Sequence, residues 1–268
     1  MNKKIAHWRG EIDADRVAWL ALDKAGASTN SLSRDVMEEL DAMVTELAQA
    51  QPKALIITSA KRGFIAGADI KEFVGIRTPD QAYELIRQGQ QVLDKIAALP
   101  CPTIAAINGF ALGGGLEVAL ACRYRVLVDD PSVTLGFPEV QLGVHPGFGG
   151  TVRAVHLAGP VAAMDLMLTG RTIRPQQALA MGLVNTVVPL DQLEEETVAW
   201  CREMLALSPF ALRLSKASFH AHEDGYAGIQ QLAHDANLLF YGSDEAREGR
   251  EAYKAKRKPD FSQFPRRP

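Results

Sequence analysis

Cysteine, charge of one sign and long apolar runs are all scarce in this chain, and each scarcity excludes a class of protein. The cysteines, Cys101, Cys122 and Cys201, are odd in number and form no C-x-x-C pair, which predicts a reduced, cytoplasmic protein. A formal net charge of -3 creates no field that would gather nucleic acid or an anionic membrane. The apolar runs are too short for a membrane span, and the N-terminus lacks the apolar stretch of a signal peptide. We therefore expect neither a nucleic-acid partner nor a membrane partner.

The composition and the patterning predict a sizeable α/β core. The chain has 268 residues, of which 47% are apolar, and this is enough to bury a large core. Buried strand-like runs alternate with amphipathic helical segments, which indicates parallel strand pairing. Ser33 is expected to cap the first helix. The predicted elements are a hairpin within residues 5–22, helices over 33–50, 79–98 and from 115, and strands over 54–58, 103–107 and 125–128.

The C-terminal part of the chain has a different pattern. Several short helices are predicted there, because glycine is favoured just beyond a helix end. The glycines in question are Gly159, Gly170 and Gly182. One further strand is predicted over 184–188, and the chain is mainly helical from residue 191. We therefore divide it into a core at 1–190 and a helical region at 191–268, whose apolar faces suggest packing against a partner chain.

The loop over residues 108–115 is the most informative feature for function. It ends in three glycines, which leave backbone N–H groups open to close approach by a ligand. The helix that follows adds unpaired N–H donors and a partial positive charge at its N-terminus, and Glu117 lies in its first turn. The pattern predicts a site that holds a negatively polarised oxygen beside an acid/base residue.

A second loop, at residues 63–72, has the same character. It follows a strand, its small residues leave the backbone accessible, and Asp69 is placed to cap the next turn. One N–H from each loop could converge on a single carbonyl oxygen, which is the arrangement of an oxyanion hole. From the glycines alone, two tight turns packed against neighbouring strands are an equal alternative.

A third segment, at residues 135–151, adds a second carboxylate. Pro138 is expected to force an extended turn and to place Glu139 at a loop edge instead of on an exposed helix face. Glu139 and Glu117 are one strand apart, in a neighbourhood rich in glycine and apolar residues. Two carboxylates in such a pocket would perturb each other and could handle one water molecule together.

Several segments together resemble the crotonase (enoyl-CoA hydratase/isomerase) superfamily. They are residues 65–72, 108–117, 138–151, 178–188 and 248–257. Ordered motifs at suitable spacing over nearly the whole chain are far more specific than any one motif. The resemblance implies a crotonase-like spiral of ββα units with a helical C-terminal trimerisation region, assembled as a homotrimer or as a dimer of trimers, a homohexamer. No dehydrogenase half follows, so the expectation is a stand-alone hydratase.

The resemblance also implies roles for particular residues. Glu117 and Glu139 match the two catalytic carboxylates of hydratases, and the N–H groups of Ala68 and Gly114 match the oxyanion hole. The positions that match contacts to coenzyme A are Lys24, Ala25, Ala66, Asp69, Ile70 and Lys71, with Tyr253 and Lys256 in the tail. No cofactor and no metal are implied, because the acyl-CoA thioester is itself the substrate.

The implied reaction is the reversible addition of water to a trans-2-enoyl-CoA, which gives a 3-hydroxyacyl-CoA in fatty-acid β-oxidation or a related catabolic pathway. The alternative on the same scaffold is an enoyl-CoA isomerase or an acyl-CoA hydrolase. Leu116 stands where many hydratases have a smaller or sulfur-bearing residue, and Tyr253 stands where phenylalanine is usual. Both departures bear on acyl-chain preference more than on the type of reaction.

A zinc site is an alternative interpretation of the histidines. It would use His220, His222 and Glu223, with His234 further along the chain. Residues two apart on a helix point to nearly opposite sides, so the first two histidines are poorly placed to share a metal. We therefore expect histidines that pack or lie on the surface.

Two further features leave other roles open. His145 follows Glu139 in the third segment, and we expect it to have a structural role or to lie near coenzyme A. The basic cluster at residues 254–258 suggests a non-enzymatic alternative, an RNA-binding protein. Basic residues are also favourable at the C-terminus of a helix, which is the interpretation we prefer.

Overall fold

The computed structural model describes residues 5–74, 78–223, 225, 228–230, 233–234 and 242–264. It divides the chain into two compact units, Met1–Ala206 and Leu207–Pro268. The strands, all in the first unit, are β1 (Trp8–Ile12), β2 (Val17–Leu22), β3 (Ala54–Ser59), β4 (Thr103–Ile107), β5 (Ala111–Leu112), β6 (Tyr124–Val128), β7 (Leu135–Gly136), β8 (Thr172–Ile173) and β9 (Thr186–Val188).

Along the chain, the helices of the first unit lie between these strands, except that the last helix follows β9. They are α1 (Arg34–Ala50), α2 (Ile70–Val74), α3 (Pro79–Ala98), α4 (Gly114–Ala121), α5 (Gly150–Thr169), α6 (Pro175–Ala180) and α7 (Leu193–Leu205). Short 3-10 helices cover Pro138–Leu142 and Leu190–Gln192. The second unit contains α8 (Pro209–Glu223), α9 (Asp244–Lys254) and a 3-10 turn at Phe261–Gln263.

The main sheet confirms the predicted parallel pairing. Its strand order is β1-β2-β3-β4-β6-β9; the β1–β2 hairpin is antiparallel and every later pair is parallel. All five residues of β4 are buried, as is the apolar run that opens β3, which is the pattern of strands covered on both faces. A second sheet, in the order β5-β7-β8, was not predicted, because two-residue strands carry no periodic signal.

Helix α1 lies where its sequence pattern placed it. Its apolar face, which includes Val36, Leu40, Val44 and Leu47, is buried in the core and packs against α3. Ser33 occupies the N-cap position with extended backbone, although its side chain makes no capping hydrogen bond. Helices α1 and α3 together form one wall of the core beside the main sheet.

The predicted glycine breaks are present in the structure. Gly159 interrupts α5 with a φ of 76°, so two helical segments join there at a kink, and Pro160 follows. Gly170 caps the same helix in the left-handed region. The first unit extends beyond the predicted core, which ended at residue 190, because α7 packs on β3, β4 and β6.

None of the helices in the described part of the chain combines the length and the hydrophobicity that a membrane crossing requires. All three cysteines are described and buried, and none of them belongs to a disulfide.

Candidate active site

One cleft in the first unit brings the three predicted segments together. It has a volume of about 1060 Å³ and lies beside α1 and α3. Its lining includes residues 66–69 and 113–114 together with Glu117, Glu139 and Phe148. The glycine loops and both carboxylates therefore line a common space.

The backbone amides of Ala68 and Gly114 belong to residues that line this cleft. Ala68 is held by hydrogen bonds on either side of it, from Leu32 N to Gly67 O (2.8 Å) and from Asp69 N to Leu32 O (2.9 Å). Gly114 begins α4, where N–H groups have no partner within the helix. Within the described ranges, neither the Ala68 amide nor the Gly114 amide donates to another protein group.

The spacing of these amides follows from glycine backbone. A Cβ built on Gly114 would lie 3.7 Å from Ala68 N, and a Cβ built on Gly67 would lie 3.8 Å from Gly114 N. Gly67 has a φ of +106°, which side-chain-bearing residues rarely adopt. Two N–H groups without a partner among the described residues thus lie close together. This closeness is needed if one oxygen is to accept a hydrogen bond from both.

Glu117 is anchored at the N-terminus of another helix. Its side chain is 2% exposed, and its Oε1 accepts hydrogen bonds from Phe148 N and Gly150 N, both at 2.7 Å. Gly150 is the first residue of α5, so the carboxylate meets the positive end of that helix. The chain comes so close that a Cβ on Gly150 would lie 3.0 Å from Glu117 Oε1.

Opposing influences act on the protonation of Glu117. Burial raises its pKa most strongly, and the nearby charge of Glu139 raises it further. The hydrogen bonds from Gly150 and Phe148 and the charge of Arg153 act in the other direction. The net effect raises the pKa of Glu117 from 4.5 to about 7, where a carboxyl group can both take up and release a proton at neutral pH.

Glu139 reaches the cleft from a short helix, which corrects the extended turn that Pro138 was expected to impose. Pro138 is the first residue of the 3-10 helix Pro138–Leu142, because a proline at that position loses no internal hydrogen bond. A Cβ on Gly113 would lie 2.5 Å from Glu139 Oε1, and Gly113 has a φ of +50°. A side chain at Gly113 would therefore have to displace this carboxylate.

The second oxygen of Glu139 is an acceptor without a donor. Oε2 is buried and has no hydrogen-bond partner among the described residues. Burial raises the pKa of Glu139, and the charge of His145 counteracts this. A buried, unsatisfied acceptor beside a cleft is a position where a water molecule or a protonated carboxyl group would fit.

Some of the positions expected to meet coenzyme A line the cleft, and others contact a residue that does. Ala66, Asp69 and Ile70 line the cleft. Lys24 is buried and donates from Nζ to Asp69 Oδ2 at 2.7 Å, and this contact is the main reason that the pKa of Asp69 is lowered. Asp69 Oδ1 accepts from Lys71 N at 3.1 Å, so Asp69 caps the start of α2 as predicted.

Other predicted residues are less directly placed. Ala25 donates from its amide to His7 Nδ1 at 3.1 Å, and Lys71 is exposed; neither lines the described cleft. Leu116 is fully buried in the core and does not line it either, which argues against a direct influence on the acyl group. His145 does line the cleft, and its Nδ1 lies 2.9 Å from Pro146 O.

The tail residues belong to the second unit. Tyr253, near the end of α9, is 86% exposed, and Lys256, just beyond the helix, is also exposed. In the basic cluster at 254–258, Arg257 donates from Nη2 to Glu248 Oε2 at 2.8 Å. One charge of the cluster is therefore engaged within the second unit.

The described residues offer no metal site. No group of three or more histidine, cysteine, aspartate or glutamate side chains among them could hold an ion. The side chains of His220, His222 and Glu223 lie outside the described ones, and His234 is exposed. The zinc interpretation therefore finds no support in this part of the chain.

Sequence reasoning missed three contributors to the site, namely Phe148, Gly150 and Arg153. Two of them hold Glu117 through their amides, and the third binds Phe148 O from Nη1 at 2.9 Å. The available signal was a glycine-rich turn directly before a predicted helix, a frequent setting for anion binding. The turn was identified as part of a family motif, but its contact with Glu117 is long-range and cannot be read from spacing.

The chain belongs to the enoyl-CoA hydratase/isomerase family, whose sequence model matches residues 15–265. This confirms the crotonase superfamily that the motifs indicated. One curated relative is the fatty acid oxidation complex subunit alpha of Shewanella frigidimarina, which is 47% identical over 186 residues. That match covers 69% of this chain and 26% of the relative, so the chain spans about a quarter of the length of that protein.

Crystal structures of similar proteins share the fold. An enoyl-CoA hydratase from Bacillus anthracis is 33% identical, with a TM-score of 0.78, over 97% of this chain and 100% of that chain. A second structure, of an enoyl-CoA hydratase from Geobacillus kaustophilus, is 33% identical, with a TM-score of 0.80, over 98% of each chain. The α/β fold predicted from the sequence is thus the crotonase fold.

Proposed function

We propose that this protein is an enoyl-CoA hydratase, a hydro-lyase that adds water reversibly to the 2,3-double bond of a trans-2-enoyl-CoA. The observation that carries the proposal is the shared cleft, in which Glu117 and Glu139 lie beside the unpaired amides of Ala68 and Gly114. A pair of carboxylates is suited to moving a water molecule and a proton together. Family membership supports the acyl-CoA substrate class.

The two amides act on the thioester oxygen. When water adds at C3, negative charge develops on that oxygen as the enolate forms. The N–H groups of Ala68 and Gly114, which donate to no other group among the described residues, are proposed to stabilise this charge by donating to that oxygen. Loss of one such donor costs roughly 2.7–4 kcal/mol of transition-state stabilisation.

The carboxylates divide the proton transfers. Glu117, held by two amide donors, orients the water and removes its proton as the oxygen bonds to C3. Glu139, whose pKa is raised by burial, delivers a proton to C2. The water loses one proton to Glu117 and C2 gains one from Glu139, and exchange with solvent then removes the proton from Glu117 and returns one to Glu139, so no metal or redox cofactor is required in this scheme.

The surface proposed to meet coenzyme A has contributions from both units. It is formed by Lys24, Ala25, Ala66, Asp69, Ile70 and Lys71, with Tyr253 and Lys256 contributing from the tail. We also propose a cytoplasmic homotrimer or dimer of trimers that acts in fatty-acid β-oxidation or a related pathway. The match to a fatty acid oxidation complex subunit supports that pathway.

The reaction is tested with crotonyl-CoA in water enriched in a heavy oxygen isotope. A hydratase gives a 3-hydroxyacyl product that carries the label, with loss of the enoyl absorbance and no free thiol. Release of coenzyme A thiol would instead indicate a hydrolase. A shifted double bond without label would indicate an isomerase.

The residue roles are tested with Glu117→Gln and Glu139→Gln. Each substitution keeps the shape of the side chain but removes its proton chemistry, so turnover should fall by about 10²–10⁴-fold while substrate binding is retained. Glu46→Gln changes an exposed glutamate of α1 and serves as the matched control. Near-normal turnover in both cleft variants would contradict the proposal.

A further inference from the structure

A basic residue lies in the first turn of α5, where a cation is electrostatically unfavourable. Arg153 donates its own amide to Gly149 O at 2.9 Å, which places it one turn into the helix. The N-terminus of a helix carries a partial positive charge that disfavours a further cation. Even so, the Arg153 side chain is only 19% exposed. A charge retained there requires acceptors that compensate it.

The guanidinium of Arg153 binds two acceptors on different elements. Nη1 donates to Phe148 O at 2.9 Å, and Nη2 donates to Asp94 Oδ1 at 2.7 Å. Phe148 immediately precedes α5, whereas Asp94 is on α3. A planar, multi-donor group can hold two such acceptors in one fixed geometry, as an ammonium group cannot.

The turn that Arg153 holds is the turn that binds Glu117. Phe148 offers its carbonyl to Arg153 and its amide to Glu117, and Gly150 supplies the second amide. Between them, Gly149 has a φ of +106°, and a Cβ there would lie 2.3 Å from Arg153 Nη1. The guanidinium therefore packs directly against the bare backbone of this turn.

We propose that Arg153 is a positioning residue, which fixes the turn at 147–150 through Phe148 O and thereby orients Glu117. The proposal rests on the proposed function, in which Glu117 activates the attacking water. Asp94 contributes by holding the other edge of the guanidinium from α3.

Charged groups on several elements affect the ionisation of Glu117. The Glu139 carboxylate, on the 3-10 helix, opposes ionisation of Glu117, and Arg153, on α5, favours it. His145 acts on Glu139, and Asp94, on α3, faces Arg153. Removal of Arg153 therefore leaves burial and one like charge without their cationic counterweight, and the pKa of Glu117 should rise.

The test compares Arg153→Gln with Arg153→Lys. Arg153→Gln removes both the positive charge and the guanidinium. Arg153→Lys keeps the positive charge but loses the planar group that binds Phe148 O and Asp94 Oδ1 together. Arg171→Gln is the control, because Arg171 pairs with Asp165 at 3.0 Å in an exposed ion pair of the same unit. The titration of Glu117 is followed by the infrared carboxyl band that Glu117→Gln abolishes, in parallel with a pH profile of kcat/KM for crotonyl-CoA.

Arg153→Gln should raise the titration midpoint of Glu117 and move the acid limb of the pH profile upward with it. Its kcat should fall between about tenfold and about a hundredfold, with KM little changed, since orientation of the reacting group is lost rather than binding. Arg153→Lys should show a similar loss of kcat with a smaller change of midpoint. Arg171→Gln should match the wild type.

Unchanged titration and unchanged kcat in a folded Arg153 variant would overturn the inference. If Arg153→Gln does not fold, Arg153→Lys decides the matter through kcat and through the infrared midpoint. The infrared titration needs no substrate, so it tests the positioning role even if the wild type proves not to be a hydratase. An active wild type whose Glu117 band is indifferent to Arg153 would leave the proposed function standing and remove the inference alone.

Discussion

Glu117 is a carboxyl group for which desolvation outweighs two amide hydrogen bonds. Each of those bonds favours the ionised form, yet burial at 2% exposure raises the pKa to about 7. The consequence for stability has a definite sign. Between pH 4.5 and about 7 the folded state binds more protons than the unfolded state, so the free energy of unfolding falls as the pH rises through that interval.

Glu117→Gln should therefore stabilise the fold at neutral and alkaline pH. The amide resembles the protonated acid and avoids the cost of ionising in a buried site, which amounts to roughly 3 kcal/mol above the folded pKa. Below pH 4.5 the variant and the wild type should have similar stability. Urea unfolding at several pH values measures this difference, and equal stability of the two proteins at every pH would contradict the raised pKa.

Gly113→Ala should impair catalysis more than it impairs folding. The new Cβ would lie 2.5 Å from Glu139 Oε1 and must displace that carboxylate. Gly143→Ala is the control for a positive φ, since Gly143 has a φ of 74° but nothing within 4 Å of an added Cβ. Gly143 has a ψ of 19° and lies in the left-handed region, where alanine costs about 1–2 kcal/mol, whereas Gly113 has a ψ of −126° and lies outside that region, so Gly113→Ala bears the larger backbone strain.

Turnover is compared alongside the stability of each variant. Turnover should fall at least about tenfold in Gly113→Ala, in proportion to the loss of position of Glu139, and remain near normal in Gly143→Ala. Thermal unfolding of the two variants provides the stability reference. Equal turnover in both would show that Glu139 tolerates the displacement.

At the scale of elements, α3 comes close to the turn before α5 at a position where α3 has a glycine. Gly89 lies within α3, and a Cβ there would come within 2.3 Å of Phe148 Cε1. Alanine has the better helix propensity, by about 0.5–1 kcal/mol. Overpacking against the ring should outweigh this gain, because such contacts typically cost about 1–3 kcal/mol.

Gly89→Ala should thus destabilise the protein and, by moving Phe148, reduce turnover. Gly249→Ala is the control on α9, where the added Cβ would meet nothing closer than Phe261 Cζ at 3.9 Å, so the helix propensity alone should stabilise it. Chemical denaturation measures both effects. A stabilised Gly89→Ala variant with full activity would show that Phe148 is not fixed by this contact.

The elements that the sequence predicted well are those with long, uniform patterns. Strand β4 was predicted at its observed bounds because four of its five residues are apolar, and α1 was predicted from its apolar face. The small sheet of β5, β7 and β8 and the 3-10 helix after Pro138 escaped, since each is too short for a period to show.

The site shows the same division. The residues that the motifs singled out, Ala68, Gly114, Glu117 and Glu139, meet in one cleft, although their catalytic roles stay predictions. The contact of Arg153 with Asp94 could not be predicted, because it joins residues 59 positions apart across two helices. Contacts of that kind depend on how elements pack, which no local pattern specifies.

At the scale of the whole molecule, α5 leaves apolar side chains exposed. Val161 and Leu168 are 83% and 70% exposed, and Val152 and Met164 are also exposed. Apolar groups gathered along one helix are typical of a surface that associates with another chain. The predicted trimer or hexamer would give them a partner.

We expect the protein to sediment as a trimer or a hexamer and Val161→Glu combined with Leu168→Glu to weaken that assembly. A charge in an apolar interface loses its hydration without gaining a partner. Analytical ultracentrifugation over a range of concentrations measures the change, with Glu46→Gln as the control. A wild type that sediments as a monomer would contradict the expected assembly.

The three buried cysteines can serve as natural probes for opening of the fold. Burial raises the pKa of the Cys201 thiol to about 11, so little reactive thiolate is present at neutral pH. Cys101, Cys122 and Cys201 become accessible to an alkylating reagent only when the structure around them opens. The rate of their labelling, read one cysteine at a time by mass spectrometry, would therefore follow the opening of the fold at three separate points without any engineered probe.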